Sequence, residues 1–334
     1  MKNYKLIWLG IFCCLQPLIL FAQRGETIRK AFLDPKSDQV LVVAHRGNWR
    51  SAPENSVAAI DSAIQMGVDI VEIDIHKTKD GQLILMHDDR VDRTTNGKGL
   101  IKDYTLAEIK KLKLKDKDGN LTEHIVPTLE EALLAGKGQI MFNLDKAYSV
   151  FDEVYAVLEK TGTASLVIMK GGQPVETVKS EFGDYLDKVI YIPVIGLDGK
   201  DGEKKVRDYM TQLHPAAFEL VYSDSSSPLP RKVKSIILGK SRIWYNTLWA
   251  SLAGGHEDDQ ALKDPDGNYG YLIEELGARI LQTDRPGFML DYLRKKGLHD
   301  KSSEDNEVKC IVWHTDNVDD INRRYLCCFY LFSK

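Results

Sequence analysis

Apolar residues fall along this chain in short continuous runs, separated by stretches in which they recur every three or four positions. Val40-Leu41-Val42-Val43-Ala44 is continuous and rich in β-branched residues, as a strand covered on both faces requires. Val57, Ile60 and Ile64 then stand at helical spacing after Asn55, which can cap the helix, and Gly67 can close it. Val68 to Ile75 is a second strand, so the three elements make a βαβ unit. The alternation continues. Thr128 can cap a helix over Leu129 to Ala135 before a strand Gln139 to Leu144, and a helix Ser149 to Lys160 precedes a strand Ser165 to Met169. Another helix leads to Val189 to Val194, strands Ala217 to Val221, Arg242 to Asn246 and Ala278 to Gln282 follow, and a last helix lies near Gly287 to Lys296. Eight such strands with helices between them, in roughly 250 residues, predict an α/β fold of the TIM (β/α)8 barrel class, which carries its chemistry at the C-terminal ends of its strands. A doubly wound sheet would want a glycine-rich phosphate loop after the first strand, and none is there.

Three segments depart from the rhythm. After the second strand, between His87 and Pro127, turn signals at Asn96-Gly97 and Asp118-Gly119-Asn120 surround a short helical stretch Leu106 to Leu112. This predicts a small insertion over about 88–127, either a lid over the barrel mouth or a solvated excursion. Residues 1–22 form a separate unit, in which Lys2 and Lys5 precede the apolar run Leu6 to Phe21 and Ala22 offers a small residue for cleavage. They read as a secretory signal, so the protein is expected to be exported, periplasmic or secreted, with no membrane span once the signal is removed. Pro17 interrupts a run barely long enough to cross a bilayer, and Ile11 and Phe12 are too bulky for the usual approach to a lipidated cysteine. At the other end, 299–334 is polar and then unpatterned, and no barrel element is left for it to form.

Composition adds exclusions. A net charge of -4, without a long basic block, argues against nucleic acid as a partner, because counterion displacement needs a concentrated basic footprint. A small anionic substrate needs only a few local cations and stays compatible. Between Gln23 and Asp300 there is no cysteine, so neither disulfides nor zinc thiolates hold the body together and a large core must.

The polar residues that close the early strands carry the chemistry. His45-Arg46-Gly47 follows the first strand, Glu72-Ile73-Asp74 sits within the second, and His87-Asp88 follows Leu83-Ile84-Leu85-Met86. Glu72 and Asp74 are two apart on a strand and share a face, which in a barrel is the interior. Two buried carboxylates repel, and a divalent cation on oxygen ligands relieves them most directly. The alternative is a pair of salt bridges to Arg or Lys. Asp145, ending the third strand, is placed as a third ligand, and an oxygen-only set points to Ca or Mg. His45 and His87 are then free for proton transfer, with Arg46 and Lys146 as cations for phosphoryl oxygens. That combination suits cleavage of a phosphodiester.

These motifs, together with Ala52-Pro53-Glu54-Asn55-Ser56, Asp92-Arg93-Thr94-Thr95-Asn96-Gly97 and Thr283-Asp284-Arg285-Pro286, resemble the glycerophosphodiester phosphodiesterase family over Gln39 to Leu298. The resemblance implies a TIM barrel with a small insertion after the second strand, and hydrolysis of small-molecule glycerophosphodiesters to glycerol 3-phosphate and an alcohol. It implies His45 and His87 as the acid/base pair, Glu72 and Asp74 as metal ligands, and Arg46 on the phosphate. In the family mechanism a glycerol hydroxyl attacks phosphorus, and water opens the resulting cyclic phosphate. Glu54 and Asn55 match site-lining positions, and Trp244 with Asn246 matches a Trp-x-Asn in which the aromatic ring covers the glycerol moiety. The family's third carboxylate is usually Glu in Asn-Ile-Glu-Ile-Lys; here Asn143-Leu144-Asp145-Lys146 is shorter by a methylene and brings the lysine one residue closer. Lys170 is either a phosphate contact or a surface lysine, and Glu219 either faces substrate or pairs with a neighbour. The rival functions are a phospholipase of the phosphatidylinositol-specific or sphingomyelinase D type and a non-catalytic sugar-phosphate binding protein.

Overall fold

In a computed structural model that describes residues 24–299, eight parallel strands close into a barrel. The staves are β1 (Leu41–Ala44), β2 (Ile70–Lys77), β6 (Met141–Asp145), β7 (Val167–Gly171), β8 (Ile190–Gly196), β9 (Ala217–Val221), β10 (Arg242–Asn246) and β11 (Ala278–Thr283). Closure comes from β1, which pairs with β11 through Leu41↔Ile280 and with β2 through Val43↔Ile70. These are the eight strands that the apolar runs predict. Helices between them cover the outside, among them α2 (Val57–Met66), α4 (Leu129–Gly136) and α5 (Phe151–Thr161). Thr128 caps α4 as expected, its hydroxyl accepting the Glu131 N–H at 3.1 Å. At α2 the cap is Ser56, which accepts the Ala59 N–H at 3.0 Å, and not Asn55, whose side chain is engaged elsewhere. Gly67 ends α2 in the left-handed conformation, φ 87°.

The bottom of the barrel differs from expectation. A helix over 24–33, α1, precedes the first strand, where the hydrophobic pattern predicts no element. Its Ile28 and Phe32, four apart and on one face, join the inward-facing Leu41, Val43, Ile70, Met141, Trp244 and Ile280 in one buried cluster. Arg242 fastens this plug by donating to the carbonyls of Ala31 and Gln39, and the Arg24 Nη2 donates to the Val68 carbonyl at 2.7 Å.

The insertion has its own architecture. β3 (Leu83–Leu85) extends the sheet antiparallel to β2, and beyond it come α3 (Leu106–Ile109) and a hairpin of β4 (Lys113–Lys115) and β5 (Leu121–Ile125). Ile84, Met86, Val91, Ile101, Ile109, Leu114 and Val126 form its separate small core. The tail 299–334, apart from His299, and the whole of the signal 1–22 lie outside the described residues.

Candidate active site

Period-two alternation carries β2 and β6 from the apolar layer into a polar one. Above Ile70 stand Glu72 and Asp74, each 1% exposed, and above Met141 stand Asn143 and Asp145. Asp74 is the register partner of Asp145, and one oxygen from each of Glu72, Asp74 and Asp145 lies within 4.8 Å of the others. The shorter Asp145 therefore still joins the group. Burial first and the Asp74 charge second push the Glu72 carboxyl up to about 8, the expected result when two carboxylates share a dry site. Burial works the same way on Asp145, but Lys170 and the Lys146 N–H outweigh it and hold that carboxyl below its ordinary value. Asp74 Oδ1 accepts no hydrogen bond, although the Lys146 ammonium stands 3.2 Å away. A buried carboxylate oxygen without a hydrogen bond, in an all-oxygen set, fits a hard divalent cation.

The loops that bring cations here are strained. Arg46 (φ 55°), Asn55 (φ 55°) and Lys146 (φ 57°) adopt the left-handed region that non-glycine residues avoid. Each costs about 1–3 kcal/mol, and the site's own hydrogen bonds hold them there. The Arg46 N–H donates to Glu72 Oε2 at 2.9 Å, and its carbonyl accepts the Asn55 N–H at 3.0 Å. Asn55 uses both ends of its amide on Asp74, donating to Oδ2 at 2.9 Å and accepting the Asp74 N–H at 3.0 Å. That is why it is unavailable as a helix cap. Gly47 is required between them: at φ 77°, a Cβ would come within 2.8 Å of the Ala59 side chain.

Both histidines are oriented by carboxylates. His45 Nδ1 lies 2.8 Å from Asp284 Oδ1, which also accepts the Trp49 indole N–H at 2.6 Å. Burial lowers the His45 pKa, but the Asp284 hydrogen bond and the charges of Glu72 and Asp284 outweigh it, so the ring holds its proton above the ordinary pH. His87 Nδ1 lies 2.7 Å from Asp88 Oδ1, and Arg93 grips Asp88 at 2.8 and 3.0 Å. Arg93 also donates to both Glu54 oxygens, at 2.7 and 2.8 Å, and Glu54 pairs with Arg46 at 3.1 Å. Burial raises the Glu54 carboxyl, yet Arg93 and Arg46 together keep it below its ordinary value. Lys146 Nζ donates to the His87 carbonyl while it faces Asp74, and so ties the β3 end to the carboxylate group.

Three expected residues lie deeper than the mouth. Lys170 is buried, not a surface lysine: its ammonium is 3.3 Å from Glu219 Oε2 and 3.8 Å from Asp145 Oδ1. Glu219 is thereby paired, and its other oxygen accepts the Asn246 amide at 2.8 Å. Trp244 is fully buried in the lower layer, its indole N–H donated to Asn246 Oδ1 at 2.8 Å, so it is no open wall for a ligand. The exposed aromatic ring is Trp249, 47% accessible and 6.3 Å from the His45 ring. With His45, Arg46, Trp49 and the hairpin residues Lys115 and Lys117 it lines a mouth cavity of about 420 Å³. The insertion therefore reaches the mouth. Asp284 and Asp88 stand in the motifs Thr283-Asp284-Arg285-Pro286 and His87-Asp88, but their hold on the histidines shows only in three dimensions, and no sequence signal marks Trp49 or Trp249.

Residues 45–171 match the model of the Glycerophosphoryl diester phosphodiesterase family, and residues 191–293 match a domain of unknown function. The glycerophosphodiester phosphodiesterase of Caldanaerobacter subterraneus subsp. tengcongensis is 45% identical over 109 residues, 32% of this chain and 45% of that protein. One from Bacillus subtilis is 45% identical over 108 residues, 29% of this chain and 36% of that protein. The chain thus spans less than half the length of these curated relatives in the matched stretch. A glycerophosphoryl diester phosphodiesterase from Parabacteroides distasonis shares the fold at TM-score 0.66 and 24% identity, over 82% of this chain and 92% of that one. A phosphodiesterase from Oleispira antarctica, solved with the product sn-glycerol-3-phosphate, does so at TM-score 0.56 and 21% identity, over 76% and 96%. The stretch 45–171 that matches the glycerophosphoryl diester phosphodiesterase family model holds the three carboxylates and both histidines, and the barrel fold around them is shared with the solved structures.

Proposed function

We propose that the protein is an exported, metal-dependent phosphodiesterase that hydrolyses glycerophosphodiesters to glycerol 3-phosphate and an alcohol. The observation that carries this reading is one barrel end holding a three-carboxylate group and two imidazoles whose Nδ1 atoms are each engaged by an aspartate. The names of the curated relatives, and the product bound by the Oleispira antarctica protein, point the same way. With Nδ1 engaged, Nε2 is the nitrogen left for proton transfer on both rings. One Nε2 takes the proton of the glycerol hydroxyl as its oxygen bonds phosphorus, and the other protonates the alkoxide as its phosphorus–oxygen bond breaks. The roles then exchange: a water oxygen bonds phosphorus as its proton passes to the Nε2 that protonated the alkoxide, the cyclic phosphate opens at its bond to the attacking glycerol oxygen, and that oxygen regains its proton from the first Nε2. Arg46 and Lys146 hold positive charge beside Asp74 for the phosphoryl oxygens. A Ca or Mg ion held by Glu72, Asp74 and Asp145 would supply charge neutralisation and Lewis acidity.

The test is glycerol 3-phosphate release from a panel of glycerophosphodiesters with Ca, with Mg and with chelator. Release that needs a divalent ion is expected. Turnover undiminished by chelator would sink the metal requirement, and no release from any diester would sink the activity. Export is checked by fractionation, with the mature chain expected outside the cytoplasmic membrane and starting near Gln23.

A further inference from the structure

The carboxylate that holds His45 is itself held. Its support is Asp258, the first residue of α9 (Asp258–Ala261), in the connection between β10 and β11. Asp258 is 2% exposed, and its Oδ1 accepts the hydroxyls of Thr247, Tyr269 and Thr283, each at 2.7 Å. Its Oδ2 accepts the backbone N–H of Asp284, also at 2.7 Å. The Asp258 N–H goes to the Thr247 carbonyl at 2.7 Å, so the carboxylate is fixed from its own backbone as well. Four donors converge on one side chain, the single Thr247 proton being shared with the Gln282 carbonyl at 3.0 Å, and the ionised form can accept from all of them. Burial opposes that charge and raises the carboxyl above its ordinary value, against the pull of the four donors. Stability alone does not call for such an arrangement, because apolar residues of similar size commonly replace a buried charge without loss. Besides the three hydroxyls this carboxylate holds one N–H, and that N–H belongs to the residue that orients His45.

We propose that Asp258 is a positioning residue for proton transfer: by fixing the backbone at Asp284 it aims the Asp284 carboxylate at His45 Nδ1 and keeps Nε2 free. The inference rests on the assignment of His45 to acid/base chemistry made above. It also gives the stretch 191–293 a part in the reaction, since Asp258 and Asp284 both lie there and hold a side chain supplied after the first strand.

The decisive variant is Asp258→Asn in the full chain, which keeps the shape but replaces an acceptor by an amide. Two readouts are needed: kcat and KM on a glycerophosphodiester, and the ring ¹⁵N shifts of His45 in histidine-labelled protein at fixed pH. The expected result is loss of the Nδ1–H form of His45 and a kcat lower by about tenfold to a hundredfold, with KM within about twofold. Added to Asp284→Asn, the same change should lower kcat no further. Should Asp258→Asn fail to fold, Tyr269→Phe removes one of the four donors and should move both readouts in the same direction by less. Unchanged His45 shifts, or an equal fall in kcat with and without Asp284→Asn, would overturn the inference. If the wild type turns over no diester while Asp258→Asn still changes the His45 ring, the proposed function fails and the positioning role stands.

Discussion

The two sides of the candidate site hold their histidines by the same device in opposite surroundings. On the His45 side the aspartate is partly shielded, its backbone is pinned by the buried Asp258, and the imidazole side chain is 10% exposed. On the His87 side the imidazole side chain is 38% exposed, Asp88 is 30% exposed, and Arg93, the residue that pins Asp88, is 47% exposed. One side is built by the barrel's last strands and hydroxyls packed inside it, the other by the insertion and a network of ions at its rim. Hydrogen bonds out of reach of water keep their strength in salt, whereas exposed ion pairs are screened and worth little individually. The device is shared; its dependence on solution conditions should not be.

The largest effect ought to erase the contrast. His45→Ala and His87→Ala should each lower the rate by about 10²- to 10⁴-fold if both rings move protons, as steady-state assays would read. The contrast should open at the aspartates. Asp284→Asn is expected to lower kcat by about 10²-fold and Asp88→Asn by about tenfold, because water and Arg93 can partly stand in on the exposed side. Arg93→Ala should act more weakly still, by a few-fold at about 0.01 M salt and not at all near 1 M, where the screening length falls to about 3 Å; equal effects at both salts would contradict the contrast.

The same pair sets a pH dependence of stability. Arg93 first, against the opposing effect of burial, holds the Asp88 carboxyl well below the usual carboxylate range. A depressed folded pKa contributes stability above the unfolded value of about 3.9 and loses it as pH falls through the folded one. Thermal melts of wild type and Arg93→Ala should therefore differ at neutral pH and converge in acid. The smallest effect on catalysis belongs to the other end of the barrel: Phe32→Ala should cost about 3–5 kcal/mol of stability, seen as a lower Tm, with kcat unchanged.

The barrel was legible because strands buried on both faces read as unbroken apolar runs, and Leu41-Val42-Val43-Ala44 is one. The carboxylate group was legible because parity along one strand puts Glu72 and Asp74 on one face without any knowledge of neighbours. Parity misled at Trp244, which shares the inward face of Asn246 but lies one layer lower, so that it fills the core and does not line the mouth. Asn55 and Ser56 are both good caps, and only the distant Asp74 decides which of them is free to act as one. The Asp284–His45 contact joins residues 239 apart in sequence, beyond any local pattern; its one signal was an acid closing the last strand in Thr283-Asp284-Arg285-Pro286. The α1 plug announced itself only as two apolar residues four apart.

The central claim is that two differently housed imidazoles share one acid/base task, and the pH dependence of kcat/KM tests it most directly. Wild type should give a bell-shaped profile, His45→Ala should lose one limb and His87→Ala the other. A bell that survives intact in either variant would contradict the account.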